Sequence, residues 1–314
     1  MPYFVSIILL ILSSGLPCCL LALGIFLTYR LLDFADLTAE GSFLVGGALT
    51  ASLISLNLNP IIATILGMIA GGLCGFITGI LNTKLNIPKL LSGIITMTAA
   101  TSIAMLIIGL SNGIVFDNDI RFNPSVNHTI YSALWINNKP QFNLIIEDIV
   151  FIVIVLIVAI LIYFFFGTEY GMSIRATGMN EQMARAQGIN STRATIVCVA
   201  LSNALIGLAG ALYAQDQHGM NIKDASGFLV VGLASILIGE SIFGKKNFKR
   251  WMISVLLGAI VYFIIIQIAL ELGFPSGLMK LLYAVLITIA LCLPLFKKLF
   301  KQIFSRKGDS HVSN

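Results

Sequence analysis

Nine apolar segments, most of them near membrane-crossing length, follow one another along this chain and decide its fold class before any single residue does. They run at about 4–29, 41–56, 60–82, 89–111, 147–167, 194–216, 226–243, 251–272 and 278–296. A helix that spans the hydrocarbon layer needs about 20 residues. Hydrophobic residues make up 58% of the 314 and charged residues only 11%, with a mean hydropathy of +0.97. A soluble chain of this size has nowhere to hide so much apolar surface, because its exterior must be largely polar. Lipid, by contrast, solvates the outside of every membrane helix. The expectation is an all-α polytopic membrane protein with about nine transmembrane helices in a single domain over 1–296 and a basic tail over 297–314. That disfavours a soluble enzyme, a secreted disulfide scaffold, a disordered chain and a nucleic-acid-binding module.

Charge placement sets the expected orientation. The net charge is +5, and its basic residues cluster at Lys245, Lys246, Lys249 and Arg250 and again at Lys297, Lys298, Lys301, Arg306 and Lys307. Both clusters flank apolar runs, the positive-inside pattern, so the tail and the 244–250 loop are expected in the cytoplasm. The long loop at 112–146 has no positive excess and is expected outside. Nine spans place the N-terminus outside; eight would place it inside. The run from Tyr3 to Tyr29 lacks the basic flank of a signal peptide and is too long for one, so it reads as a first membrane helix. The five cysteines all sit inside apolar runs without a paired spacing and read as small buried hydrophobes.

Two segments stand out. The second span is short, and Gly41, Ser42, Gly46 and Gly47 interrupt its apolar character. It fits a discontinuous helix, which is tolerated where protein or a cavity covers it. Asp33, Asp36 and Glu40 precede it, so the segment reads either as a polar ligand's approach to a free helix N-terminus or as an acidic interfacial loop with a cap. The loop at 168–193 is expected in the cytoplasm. Within it, Met179, Met183 and Ala186 recur at helical spacing, Glu181 and Arg185 form an i,i+4 pair, and Gly178 and Gly188 bracket the stretch, with Asn180 able to cap it. It reads as a short helix suited to docking a partner, or as a solvated connection.

Gly67, Gly71, Gly75 and Gly79 recur every four residues along the third span, which lets another helix approach closely. The three histidines share no helix face and no HExxH occurs, so a zinc hydrolase site is not expected. Residues 239–246, GESIFGKK, fall one position short of a phosphate-binding loop and lack its strand-to-helix context. No cofactor site is expected. Asn203, Gln267 and the hydroxyls of Thr96, Thr98, Thr101 and Ser102 are the more internal polar residues, read first as interhelical hydrogen bonds. Few carboxylates lie deep in spans, which argues against an ion-coupled carrier.

The stretch from Gly171 to Gly188, with Arg175-Ala176-Thr177-Gly178, Asn180 and Gly188-Ile189, resembles the coupling loop of bacterial ATP-binding-cassette importer permeases of the branched-chain amino acid and ribose type. The run Ala204–Leu212 is similar to the family's helix after that loop, and the blocks Gly232-Leu233-Ala234, Ile238-Gly239 and Phe243-Gly244 are similar to its next block. Leu32–Phe43 resembles a narrower subgroup assigned to tryptophan and tyrosine transport. Gly239-Glu240 and Lys245-Lys246-Asn247 depart from the family's glycine-rich pattern. The resemblance implies a multi-pass bacterial inner-membrane subunit with no catalytic group of its own. It implies a separate cytoplasmic ATPase docked on Arg175, Gly178, Asn180, Glu181, Arg185 and Gly188, an external solute-binding protein, and a second permease copy, with a small solute such as an aromatic amino acid as cargo and no nucleic-acid partner. Glu40, Ser42 and Asn203 are the candidates for the translocation pathway. A stand-alone ion-coupled transporter is the alternative.

Overall fold

The structure, a computed structural model, describes residues 3–113, 117–122, 130, 140–274 and isolated positions between 278 and 288. Its order is α1 (Tyr3–Phe26, continued by a π turn, Leu27–Leu31), α2 (Thr38–Ser55), α3 (Pro60–Thr83), α4 (Lys89–Asn112), β1 (Asp119–Arg121), α5 (Pro140–Gly167), α6 (Glu169–Met179), α7 (Glu181–Ala186), α8 (Ser191–Asp216), β2 (Gly219–Asn221), α9 (Ile222–Ala225), α10 (Phe228–Phe243) and α11 (Phe248–Glu271). Local chemistry sets the ends. Pro60 opens α3 with Asn59 Oδ1 accepting from the Ile61 N–H at 2.9 Å, and α4 stops at Gly113, whose φ of +74° suits a residue without a Cβ.

Nine spanning helices are not borne out. Among the described residues six helices are long and apolar enough to cross a membrane: Leu9–Leu31, α3, α4, Asp148–Gly167 of α5, α8 and α11. α10 is apolar but has 16 residues. Most of the ninth segment and all of the 297–314 tail lie outside the described residues, as does most of the 112–146 loop. The second segment, expected to be discontinuous, is one unbroken helix, α2. Its glycines and serine do not break it because they meet protein on nearly every side: fourteen of its eighteen residues are buried.

The helices divide into inner and outer sets. The apolar window of α8 is 72% buried and that of α5 only 22%, so α8 is wrapped by protein while α5 presents most of its surface outward. α2 runs parallel to α8, with α3 antiparallel against both. The four-residue glycine repeat of α3 lies along this seam as expected. A Cβ at Gly71 would fall 2.7 Å from Gly207 Cα, one at Gly75 would meet Asn203 Cβ at 2.6 Å, and one at Gly46 would lie 2.7 Å from Gly207 Cα. Backbones this close gain dispersion contacts that larger side chains would prevent.

The break in helical structure lies between α8 and α10. His218, at a φ of +51°, turns the chain back. β2 then pairs antiparallel with β1 (Ile120 opposite Met220), and the chain descends alongside α2. Met220 Sδ sits 2.8 Å from where a Gly47 Cβ would be, and the Gly227 N–H reaches Glu40 Oε1 at 3.0 Å. Non-helical backbone is tolerated here because it is covered: Met220 is 1% and Ala225 3% exposed.

Candidate coupling segment and polar core

The 168–193 stretch forms two helices where one was expected, and Gly178 lies inside the first instead of bracketing the second. Thr168 Oγ1 caps α6 by accepting from the Gly171 N–H at 3.3 Å. The break falls at Asn180, whose backbone is extended (φ −159°, ψ 103°) and whose Oδ1 accepts from the Met183 N–H at 3.0 Å to start α7. α7 ends at Gly188, φ +85°, where the Gly188 N–H donates to Arg185 O at 3.0 Å. Asn190 then caps α8 through the Arg193 N–H at 3.0 Å. Three caps hold this segment in a defined shape.

Each predicted coupling residue has a structural partner. The Arg175 guanidinium lies 4.8 Å from the centre of the Phe248 ring and so ties α6 to the start of α11. Gly178 packs against the π turn, where a Cβ would strike the Leu31 carbonyl and fall 2.8 Å from Leu32 Cα. Arg185 Nη2 meets Glu181 Oε1 at 2.6 Å, its Nε donates to Ser191 Oγ at 2.6 Å, and Ser191 Oγ donates back to Glu181 Oε1 at 3.1 Å. The methionine stripe faces outward: Met179 is 89% and Met183 62% exposed, while Ala184 is the residue of α7 that packs inward.

Of the three pathway candidates, the structure joins two. Ser42 Oγ donates to Asn203 Oδ1 at 2.7 Å, and both side chains are fully buried. Asn203 Nδ2 donates to Asp36 Oδ2 at 2.6 Å, and Asp36 Oδ1 accepts from the Thr38 N–H at 2.9 Å. The Thr38 and Thr78 hydroxyls lie 2.7 Å apart, which brings α3 into the same network. Burial pushes the Asp36 carboxyl above the usual carboxylate range, against the pull of its hydrogen bonds from Thr38 and Asn203. Asp36 is the member that the sequence pattern does not separate from an acidic interfacial loop. Its signal is the Asn203 amide, a buried group needing an acceptor and a donor from different elements.

Glu40 sits apart, two residues and about 200° around α2 from Ser42. It ties α2 to the start of α10, beside the stacked rings of Phe43 and Phe228, 4.3 Å between centres.

The remaining polar residues mostly resolve into local bonds. Thr96, Thr98, Thr101 and Ser102 donate to backbone carbonyls three or four residues earlier in α4, not across helices. Glu240 accepts from Arg30 at 2.6 Å and from Trp251 Nε1 at 2.8 Å. Two carboxylates are buried at span ends, Asp36 in the linker before α2 and Asp148 at the start of the membrane-length part of α5, 6% and 2% exposed. GESIFGKK runs out of the end of α10 into a turn, with no strand before it. Among the described residues no three His, Cys, Asp or Glu side chains gather as metal ligands would.

Comparison with known proteins draws these features together. The family model for the permease component of branched-chain amino acid transport systems matches residues 7–291. The chain is 32% identical over 269 residues to a tyrosine transport system permease protein of Clostridioides difficile, covering 86% of this chain and 85% of the relative. It is 25% identical to the nucleoside ABC transporter permease protein NupB of Lactococcus lactis over 68% of this chain and 65% of that one. With the ribose import permease protein RbsC of Escherichia coli K12 the identity is 23%, over 72% and 66%. No solved structure matches. A bundle of apolar helices with a capped two-helix insertion, matched along nearly its whole length, is a multi-pass membrane protein of the branched-chain amino acid transport system permease family.

Proposed function

We propose that this chain is the membrane-spanning subunit of an ATP-binding-cassette importer for an aromatic amino acid. The observation that carries the reading is the 32% identity, over 86% of this chain, to a tyrosine transport permease. On this reading a cytoplasmic ATPase docks on α6 and α7 through the Arg175–Gly188 stretch. A second copy of the chain completes the pathway, and an external binding protein delivers the solute. The capped geometry of α6 and α7 supports the docking role, because a rigid insertion transmits a push that a loose loop would absorb. Gly178, seated on Leu31 and Leu32, passes that push to the linker that carries Asp36 and leads into α2. Ser42, Asn203 and Glu40 then lie on the moving side of the pathway. Alternating access follows from ATP binding one arrangement of the subunits better than the other.

The test pairs assembly with transport. The tagged permease is co-expressed with ABC ATPases from the same organism and purified, as wild type, Arg175→Glu and Glu181→Arg. Reconstituted vesicles are then assayed for uptake of labelled tyrosine, tryptophan, leucine and ribose. Wild type is expected to retain the ATPase and take up the aromatic amino acids with ATP. Both variants are expected to stay folded and lose the ATPase.

One observation favours the second reading, an ion-coupled carrier. Asp148 is 2% exposed and neither carboxylate oxygen has a hydrogen-bond partner among the described residues, and a buried carboxylate of this kind is where a coupled cation or proton would bind. Uptake that persists without any ATPase and is lost in Asp148→Asn would replace the first reading.

A further inference from the structure

A polar cleft of about 520 Å³ opens beside the coupling segment. Three chain segments distant in sequence form most of it, the linker around Asp33, the turn from Asn82 to Lys89, and the α6–α7 break at Met179, Asn180 and Glu181, with Thr195 of α8 completing the lining. Its walls are fixed. Lys89 Nζ donates to Asp33 O at 3.0 Å, tying turn to linker, and Asn82 Nδ2 donates to Ile87 O at 2.8 Å, closing the turn. Asp33 and Asn86, one in each wall, hold left-handed backbone at φ +51° and +54°, which is strain that a surrounding structure must maintain.

Two of the segments that form the cleft carry an exposed apolar side chain. Leu85, in the turn just past the end of α3 and flanked by Lys84 and Asn86, is 62% exposed. Met179 is 89% exposed at the cleft's opposite wall. Leu85 stands between Lys84 and Asn86 and Met179 beside Asn180 and Glu181, and apolar side chains exposed among polar ones mark a contact surface. Methionine in particular suits a surface that adapts to a partner.

We infer that the cleft is the second half of the ATPase docking site, so that one ATPase subunit grips the α6–α7 break and the Thr83–Lys89 turn together. The inference rests on the importer reading above. Met179, Asn180 and Glu181 belong to both surfaces, so a protein seated on α6–α7 covers the mouth of the cleft. A segment entering it touches Asp33 and thereby the linker to α2 directly, a route to the polar core besides the one through Gly178. The occupant is thus a protein loop with a polar tip and an apolar shoulder that meets Leu85.

The test measures ATPase affinity for the full permease in nanodiscs, using ABC ATPases from the same organism as the probe. Leu85→Glu is expected to weaken binding at least ten-fold, and Met183→Glu, outside the cleft on α7, to weaken it as well. Leu272→Glu, 83% exposed at the far end of α11, is expected to change nothing. If Leu85→Glu binds like wild type while Met183→Glu is weakened, the cleft inference is overturned and the importer reading stands. If wild type binds no ATPase, the importer reading itself has failed. Should Leu85→Glu not fold, Leu85→Cys is reacted with a water-soluble maleimide, with wild type as background. Bound ATPase is expected to slow that reaction at least five-fold, and an unslowed reaction overturns the inference.

Discussion

The α2–α3–α8 seam and the α6–α7 insertion are built from the same residue types put to opposite uses. In the seam, glycines bring backbones together and an asparagine, Asn203, holds a buried carboxylate. In the insertion, an asparagine, Asn180, caps an exposed helix, and a close glycine contact, at Gly178, joins a surface segment to the linker beneath it. Salt bridges divide the same way: Arg30–Glu240 has side chains 25% and 10% exposed, Glu181–Arg185 50% and 61%. The difference teaches where to look for function. A group whose removal costs stability is holding the bundle together, while one whose removal costs little is available to act on something outside it.

Substitutions should break or sharpen that division. Gly46→Leu drives a side chain into Gly207 and is expected to cost more than about 4 kcal/mol, read as loss of monodisperse protein in detergent; normal yield would show that the seam tolerates separation. Asp36→Ala leaves one N–H of the Asn203 amide without its acceptor, while Nδ2 keeps its bond to Val199 O, and should cost about 1–3 kcal/mol, measured as a lowered melting temperature. Its carboxyl also gives the seam a pH signature. Because burial raises its folded pKa, Asp36 contributes stability fully present below the unfolded value of about 4 and lost as pH rises through the folded value. The melting temperature of wild type relative to Asp36→Asn should therefore rise as the pH is lowered toward 4, and a flat difference would refute the burial argument. Arg30→Ala, at a half-buried pair, should cost about 1–3 kcal/mol. Glu181→Gln, at the exposed pair, should change stability by less than about 0.5 kcal/mol. A large loss of stability there would move the insertion into the structural class.

The sequence carried most of the helical boundaries, because apolar period and capping residues act locally: α3 was expected at 60–82 and α4 at 89–111, against Pro60–Thr83 and Lys89–Asn112. It misplaced the discontinuity. Gly41, Ser42, Gly46 and Gly47 look like a helix under strain until Gly207, Gly210 and Asn203 arrive from α8 to fill the space, and that is a tertiary fact. The true break, after Asp216, was hidden because β2 and α9 are stabilised by β1 and α2 and not by their own pattern. At the candidate site the residue types of the insertion were legible, whereas the Asp36–Asn203–Ser42 chain was not, since its members are 6 and 161 positions from Ser42.

That last separation has a consequence in time. α2 is not among the described helices long and apolar enough to cross a membrane, and its Ser42 hydroxyl finds its acceptor only when a residue 161 positions later has been made. At about 5–20 residues per second this is a delay of roughly 10–30 s. During synthesis α2 must be sheltered, by the insertion machinery or by α1 and α3, until α8 enters. The step that commits this protein to its fold is therefore the late arrival of α8 beside α2, and truncations ending before residue 191 should leave α2 exposed to quality-control proteolysis however well α1 to α5 insert.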